Sequence, residues 1–154
     1  MVNTIDSLND STINPKLRTL KLFKSEFKLE QYISQSQNIK HTQALLRFRI
    51  SSHNLHIETG SYTQPKTPAD LRKCIYCNDD AVEDEIHLLL NCTLNIPERL
   101  ELLNNIKSQI SYYDEMTDVT KFTSIIKITN PESIRALGKY IYKCLDKRMN
   151  YNKN

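Results

Sequence analysis

The chain has 154 residues, 39% of them hydrophobic, and a formal net charge of +3. This length corresponds to one domain or one small module with helical extensions. Every apolar stretch is shorter than the roughly 18 residues of a membrane span, so no membrane partner is expected. The polar N-terminus lacks the apolar core of a signal peptide, which predicts reduced cysteines and an intracellular protein, nuclear or cytoplasmic. With only two glycines, tight hairpin turns are scarce and a β-rich fold is disfavoured.

The N-terminal part of the chain predicts disorder followed by two helices. Residues 1–14 are polar and are expected to be disordered. Asn14 and Pro15 then form a cap-and-proline helix start. Apolar residues recur at helical spacing as far as residue 33, with lysines on the other sides. A second helix is predicted over residues 39–51, and both helices belong to a basic helical segment, residues 15–62.

Charge is divided unevenly along the chain. Between residues 15 and 49, eight basic side chains face two acidic ones, which leaves a local charge of +6. Between Cys77 and Cys92 five acidic residues occur without a lysine or arginine. The basic residues are Lys16, Arg18, Lys21, Lys24, Lys28, Lys40, Arg47 and Arg49, and the acidic ones are Asp79, Asp80, Glu83, Asp84 and Glu85. The basic helices and the acidic loop are therefore separate features.

Four potential metal ligands follow one another at C-x2-C-x9-H-x4-C spacing: Cys74, Cys77, His87 and Cys92. A Cys-x-x-Cys turn presents two sulfurs to one cation, and a His/Cys pair downstream completes the tetrahedral set that zinc prefers. Because four protein ligands leave no open position for water, the pattern predicts one structural Zn²⁺ rather than a catalytic one. The zinc module is expected over residues 63–96.

Two other interpretations of these residues stay open. Cys74 and Cys77 are also the spacing of a redox pair, and His87 precedes an apolar run in which it would fit as a buried core histidine. These interpretations leave Cys92 without a role, and no thioredoxin-like context surrounds the pair. The spacing therefore favours zinc.

The zinc interpretation has a consequence for the local backbone. Residues 82–90 predict a short helix with carboxylates in its first turn. Residues five apart lie about 140° apart around an α-helix, so His87 and Cys92 cannot both face one metal from an unbroken helix. The helix is expected to loosen near Asn91, a residue that tolerates a left-handed cap.

The C-terminal helical segment, residues 97–149, predicts three helices, over residues 97–110, 120–128 and 131–149, and a disordered tail, residues 150–154. Cys144 lies on the apolar stripe of the last helix and is expected in the core. Basic residues four apart occupy the opposite side and suit either a phosphate backbone or, more often, a solvated face. They are Arg135, Lys139, Lys143 and Lys147. The chain as a whole predicts a mainly α fold of about five to six helices, stapled by one zinc module.

Four sequence blocks occur in a characteristic order. They are RFRISSHNLHIETGSY at residues 47–62, CIYC at 74–77, EDEIHLLLNC at 83–92 and LGKYIY at 137–142. This order resembles the C-terminal region of reverse transcriptases from animal non-LTR (LINE-type) retrotransposons, over about residues 16–148. The resemblance implies zinc ligation by the Cys-Cys-His-Cys set and a nucleic-acid or structural role for Arg47, Arg49 and His53. Ser61 departs from the family, which often has an arginine there.

The resemblance and the basic segment together predict a non-catalytic module that grips RNA or DNA without sequence specificity, through phosphate contacts. The residues expected to contact nucleic acid are Lys21, Lys24, Lys28, Arg47, Arg49, His53, Arg72 and Lys73. The parent polymerase region, which the chain lacks, is a further expected partner. The alternative is a zinc-stapled architectural or protein-interaction module. No enzyme or small-molecule substrate is predicted, because no nucleophile stands beside a base and an orienting group.

Overall fold

The computed structural model describes Leu17, Thr19, Leu20 and residues 38–151. Thr19 and Leu20 are helical, whereas Leu17 lies in a turn with a φ of 71°, two residues after the predicted helix start. The rest of the first predicted helix lies outside the described residues, as does the N-terminus predicted to be disordered. Three of the residues expected to contact nucleic acid, Lys21, Lys24 and Lys28, also lie outside them.

Five α-helices are present within residues 38–151. They are α1 (Ile39–Arg49), α2 (His56–Thr59), α3 (Ile96–Ile106), α4 (Asp118–Ile126) and α5 (Pro131–Tyr151). A π-helix spans His87–Asn91, and short 3-10 turns lie at Ala69–Leu71, Thr93–Asn95, Lys107–Gln109 and Tyr113–Glu115. The only β pairing in the described part of the chain is an isolated bridge between Lys73 and Val82. The prediction of a mainly α fold is confirmed.

The helices begin where the sequence supplies side-chain caps. Asn38 accepts hydrogen bonds from the amides of Lys40 and His41 at the start of α1. Asn130 does the same for Glu132 and Ser133 at the start of α5, immediately before Pro131. These side chains satisfy amides that have no partner within the helix. The predicted cap-and-proline start of the last helix is therefore present.

The helices differ from the prediction mainly at their ends. α3 stops at Ile106 and continues as a 3-10 turn, and α4 begins and ends two residues earlier than expected. α5 runs through Asn150 and Tyr151, two residues into the segment expected to be a disordered tail. Among the helices of the described ranges, none has both the length and the apolar character needed to cross a membrane.

The hydrophobic core lies between α5 and the helices packed on it, with α1 and α3 as its main neighbours. Phe48, Phe122, Leu137 and Ile141 are at most 1% exposed. Cys144 is fully buried among them, as the sequence predicts, and burial raises the pKa of its thiol to about 12. This cysteine is therefore an unreactive core residue.

Gly138 sets the distance between α1 and α5. A Cβ atom at this position would lie 3.1 Å from the His41 carbonyl oxygen, closer than an ordinary van der Waals contact. The missing side chain lets the two backbones approach, so that the apolar faces of both helices meet. We call α1, α3, α4 and α5 the helical core.

Candidate metal centre

The structure brings the four predicted ligands together. One ligand atom from each of Cys74, Cys77, His87 and Cys92 lies within 4.8 Å of every other. The Cys74, His87 and Cys92 side chains are buried and Cys77 is half-buried. For comparison, the sulfur–sulfur edge of a tetrahedral zinc site is about 3.8 Å, given a Zn–S distance of about 2.3 Å. The cluster could hold one metal ion with movements of about 1 Å.

The two N-terminal ligands sit on a loop that closes on itself. The Cys74 amide donates to the Ala81 carbonyl at 2.9 Å, and the Glu83 amide donates to the Arg72 carbonyl at 2.9 Å. Asp80 has a φ of 45° and turns the chain back between these bonds. The loop therefore presents Cys74 and Cys77 on the inside while Asp79 and Asp80 face solvent.

The two C-terminal ligands are aligned by the π-helix His87–Asn91. The Cys92 amide donates to the His87 carbonyl at 2.8 Å, which is a hydrogen bond between residues five apart. Each residue of this wider turn rotates the chain less than in an α-helix, which lets His87 and Cys92 face the same cluster. The predicted loosening of the helix is thus present, but in another form. Asn91 is the last residue of the π-helix instead of a left-handed cap, and its amide donates to Asp118.

The sulfurs and the imidazole interact with one another inside the cluster. The Cys77 sulfur lies 3.3 Å from His87 Nε2, so this nitrogen is the ligand atom that faces the thiols. A hydrogen bond to the Cys92 sulfur, together with burial, raises the pKa of the Cys74 thiol to about 12. The same hydrogen bond lowers the pKa of Cys92, whereas burial raises that of Cys77. A metal ion must displace these thiol protons to bind.

A buried ion pair joins the loop that carries Cys74 and Cys77, which we call the metal loop, to the end of α5. Arg148 donates to both carboxylate oxygens of Glu83, through Nε at 2.7 Å and Nη2 at 2.5 Å. The two side chains are 5% and 2% exposed. The same guanidinium lies 4.7 Å from the centroid of the Tyr76 ring. A paired arrangement of this kind is what a charge requires when it is removed from water.

A second buried carboxylate, Glu85, gathers hydroxyl and imidazole groups. Glu85 Oε1 accepts hydrogen bonds from Ser51 Oγ at 2.9 Å and Thr19 Oγ1 at 3.2 Å, and lies 2.9 Å from His53 Nε2. The His53 side chain is fully buried. His53 thus joins the loop after α1 to the metal-binding region, by which we mean residues 72–92. This contact is structural, one of the two roles that the family resemblance implies for His53.

Three of the five described residues expected to bind nucleic acid hydrogen-bond within the molecule. Arg49 is 4% exposed and donates to the Ile126 carbonyl at 2.7 Å. His53 is buried against Glu85. Arg72 donates to the carbonyls of Thr67 and Ile57 at 2.8 and 2.6 Å. The two arginines thus donate to backbone carbonyls and His53 pairs with a carboxylate, as polar groups do when they are removed from water.

The two remaining residues are nearer the surface. Arg47 is exposed on α1. Lys73 is part-exposed, and its ammonium donates to the Asp80 carbonyl at 2.7 Å, next to the Asp80 carboxylate at 3.8 Å. Arg47 is therefore the described member of the predicted set that is most available to a phosphate.

The basic stripe on α5 faces acidic residues of α3. Lys139 and Lys143 both donate to the Glu101 carboxylate, at 2.6 and 2.9 Å, and these hydrogen bonds lower the pKa of Glu101 to about 2. Lys147 pairs with Glu98 at 3.0 Å. Much of the charge of this stripe is compensated inside the molecule, which favours a packed and solvated face over a phosphate track.

Three residues important to the metal-binding region were not recognised from the sequence. In the sequence, Glu83 and Glu85 belong to a run of acidic residues that was interpreted as a loop. Both side chains are nevertheless at most 5% exposed. Arg148 lies 65 residues from its partner Glu83 and on no recognised motif. The only local signal is a Glu-x-Glu pair directly before a run of apolar residues, which is an unusual place for solvated carboxylates.

Comparison of the chain with protein-family models, with curated proteins and with solved structures finds no match.

Proposed function

We propose that this chain is a non-catalytic module in which one Zn²⁺ staples a small loop region to a helical core. The observation that carries the proposal is the convergence of three sulfurs and one imidazole nitrogen within 4.8 Å. Soft thiolate ligands with one imidazole suit zinc, and a set of four protein ligands is that of a structural site. The ion would supply cross-linking and no reaction step.

The staple would join segments that have little apolar contact of their own. Of the residues between 60 and 86, several are exposed apolar or polar loop residues, among them Leu71 and Ile75 at 58% and 67% exposed. Such a stretch buries too little apolar surface to offset the loss of chain entropy on folding. A metal bound only by the folded state would supply the missing free energy.

The internal use of Arg49, His53 and Arg72 favours an architectural or protein-interaction role for the described part of the chain. Their donors hold neighbouring backbone segments and the Glu85 carboxylate. The same internal pairing applies to the α5 lysines. In this function the module would offer a rigid, mixed-charge surface to a macromolecular partner.

Metal content tests the staple directly. The purified protein is expected to contain one zinc per chain by native mass spectrometry, and Co²⁺ substitution should give thiolate charge-transfer bands. Cys92→Ser should abolish stoichiometric metal, whereas Cys144→Ser, which changes a core cysteine outside the cluster, should retain it. Full metal retention by Cys92→Ser, or a wild-type chain that binds no zinc, would refute the staple.

Nucleic-acid binding is a second candidate, supported by one surface feature. Lys40 and Arg47 are exposed on α1, along a groove of about 500 Å³ between α1 and α5. Together with the basic surplus of residues 15–49, this surface would attract a phosphate backbone and displace its counterions. Descent from the C-terminal region of a non-LTR reverse transcriptase, proposed from the four sequence blocks, would explain such an activity.

Anisotropy titrations with a labelled RNA hairpin and a matched DNA duplex at several salt concentrations test this candidate. The logarithm of the association constant should fall linearly with the logarithm of the salt concentration. The slope of this line reports the number of phosphate contacts. Arg47→Glu should reduce affinity, while Lys127→Glu at the end of α4 serves as a charge-matched control. Absence of salt-dependent binding by a zinc-loaded chain would leave the architectural function alone.

A further inference from the structure

Arg148 is connected to more parts of the metal-binding region than any motif suggests. Its guanidinium holds the Glu83 carboxylate through two hydrogen bonds, covers the Tyr76 ring, and lies 3.3 Å from Asn54 Oδ1. Tyr76 stands between two of the cysteines in sequence and also contacts Tyr151, with ring centroids 5.2 Å apart. Two side chains at the end of α5, Arg148 and Tyr151, therefore contact the metal loop.

Glu83 forms the link between Arg148 and the cluster itself. Its Oε1 lies 3.7 Å from the Cys74 sulfur, and its Oε2 accepts a hydrogen bond from the His56 amide at 2.8 Å. A metal-bound thiolate has no proton to donate to this carboxylate, so the contact from Cys74 becomes one between two anionic groups. Since Glu83 is 2% exposed, water cannot screen them.

The charge of a zinc-loaded site increases the need for a positive group beside Glu83. Three thiolates outweigh the two charges of Zn²⁺, so that the centre carries one net negative charge. The Glu83 carboxylate adds a second negative charge next to it. Arg148, 5% exposed, places a permanent positive charge on the carboxylate and fixes its orientation through bidentate contact.

Resting on the zinc centre proposed above, we propose that Arg148 is an outer-sphere positioning residue of that centre. Through Glu83 and Tyr76 it couples metal binding to the packing of the last turn of α5 against the metal loop. The coupling is reciprocal. Packing of the helix end against the metal loop strengthens metal binding, and metal binding stabilises that packing. Loss of an outer-sphere partner of a metal ligand typically lowers metal affinity by about 10- to 100-fold.

Competition with a chromophoric chelator tests the proposal on the full-length chain. Arg148→Gln should bind Zn²⁺ about 10- to 100-fold more weakly than wild type. Lys143→Gln is the matched control, because it removes an ion pair with Glu101 from the same helix without touching the loop. Its affinity should stay within about twofold, as expected for a distant site. Arg148→Lys, which keeps the charge but not the bidentate geometry, should fall between wild type and Arg148→Gln.

Amide hydrogen exchange supplies a second readout. Zinc should slow exchange at residues 148–151 in wild type and have a much smaller effect there in Arg148→Gln. If Arg148→Gln does not fold, Arg148→Lys reports the same coupling by the same two measurements.

The outcomes separate this inference from the staple. A wild-type chain that binds no zinc refutes the proposed function. A wild-type chain that binds zinc while Arg148→Gln and Lys143→Gln both keep its affinity overturns only the coupling. In that case Arg148 would stabilise the metal-free and metal-bound forms equally, as a purely structural ion pair does.

Discussion

The metal-binding region, residues 72–92, and the helical core are held together by different contacts. In the helical core, large apolar side chains such as Phe48 and Leu137 are completely buried against one another. In the metal-binding region, Leu88 and Leu89 pack into the same core, and the other buried side chains are three of the cluster ligands and the carboxylates Glu83 and Glu85. The two carboxylates are held by polar partners, Arg148 for Glu83 and Ser51 for Glu85. Apolar packing tolerates many substitutions of similar volume, whereas a polar network depends on each partner.

This difference shows why one small chain needs both apolar packing and polar or metal-mediated contacts. The helical core has long amphipathic helices with which to bury surface. The metal-binding region has a closed loop and a π-helix, neither of which is stable alone. Side-chain ligation and ion pairs give that region a fixed shape and attach it to α5 through Arg148.

The largest effect should follow removal of the proposed zinc. When free zinc exceeds its dissociation constant about 1,000-fold, chelation should lower the free energy of unfolding by about 4 kcal/mol. Far-ultraviolet circular dichroism should retain most of the α-helix signal, because α1, α3 and α5 do not contain ligands. Hydrogen exchange resolved by residue should show the loss concentrated at residues 72–92. Uniform unfolding of both regions would contradict the comparison.

Leu137→Ala addresses the other region. Truncation of this completely buried side chain in α5 should lower the free energy of unfolding by about 2–5 kcal/mol, from lost apolar burial and the cavity left behind. Zinc affinity should change much less, since Leu137 is not one of the four ligands. Denaturant melts at fixed free zinc measure the first quantity, and chelator competition the second. A large drop in affinity would mean that the two regions are not separable.

Gly138→Ala should have a smaller effect on the same helices. Alanine gains about 1 kcal/mol of helix propensity over glycine. The new methyl group would meet the His41 carbonyl at 3.1 Å, a backbone atom that cannot move aside alone, and overpacking costs about 1–3 kcal/mol. We expect a net loss of about 1 kcal/mol in urea melts. A stabilised variant would show that α1 and α5 separate easily.

The smallest effect should come from the surface ion pairs of α3 and α5. The Lys139 and Lys143 ammonium groups lower the pKa of Glu101 from its ordinary 4.5 to about 2. The folded form thus binds the Glu101 proton more weakly than the unfolded chain, so this contribution to stability is present above about pH 4.5 and is lost as the pH falls towards 2.

Thermal melts of wild type and Glu101→Gln at pH 7 and pH 3 measure this contribution. The gap between them should be small at pH 7, because the pairs are exposed, and should narrow at pH 3 and in added salt. A gap that is independent of pH would assign the effect to lost packing instead of charge.

Much of the metal site could be predicted from spacing alone, because the ligands are near one another in sequence and are chemically distinctive. The four ligands converge as the C-x2-C-x9-H-x4-C pattern indicates. The need for a loosened helix between His87 and Cys92 followed from helix geometry. Its form, a π-turn with a hydrogen bond between residues five apart, did not, because several backbone solutions meet the same requirement.

The roles of the basic residues could not be predicted in the same way. Arg47 and Arg49 are two residues apart, yet one is exposed and the other donates into the carbonyl end of α4. A rotation of α1 by about 200° separates their directions, and only the packing of the helix decides which direction is inward. A local surplus of positive charge therefore does not by itself tell which of the two arginines is exposed.

The sequence by itself determined α1, α3, α4 and α5 to within a few residues at their ends, the asparagine cap that begins α5, and the ligand set, since these depend on periodicity, local hydrogen bonding and ligand chemistry. The tertiary structure alone decided which charges are buried. The pairing of Arg148 with Glu83, and of His53 with Glu85, joins residues 65 and 32 positions apart. No local pattern specifies such a partner, because its position follows from how the helices pack.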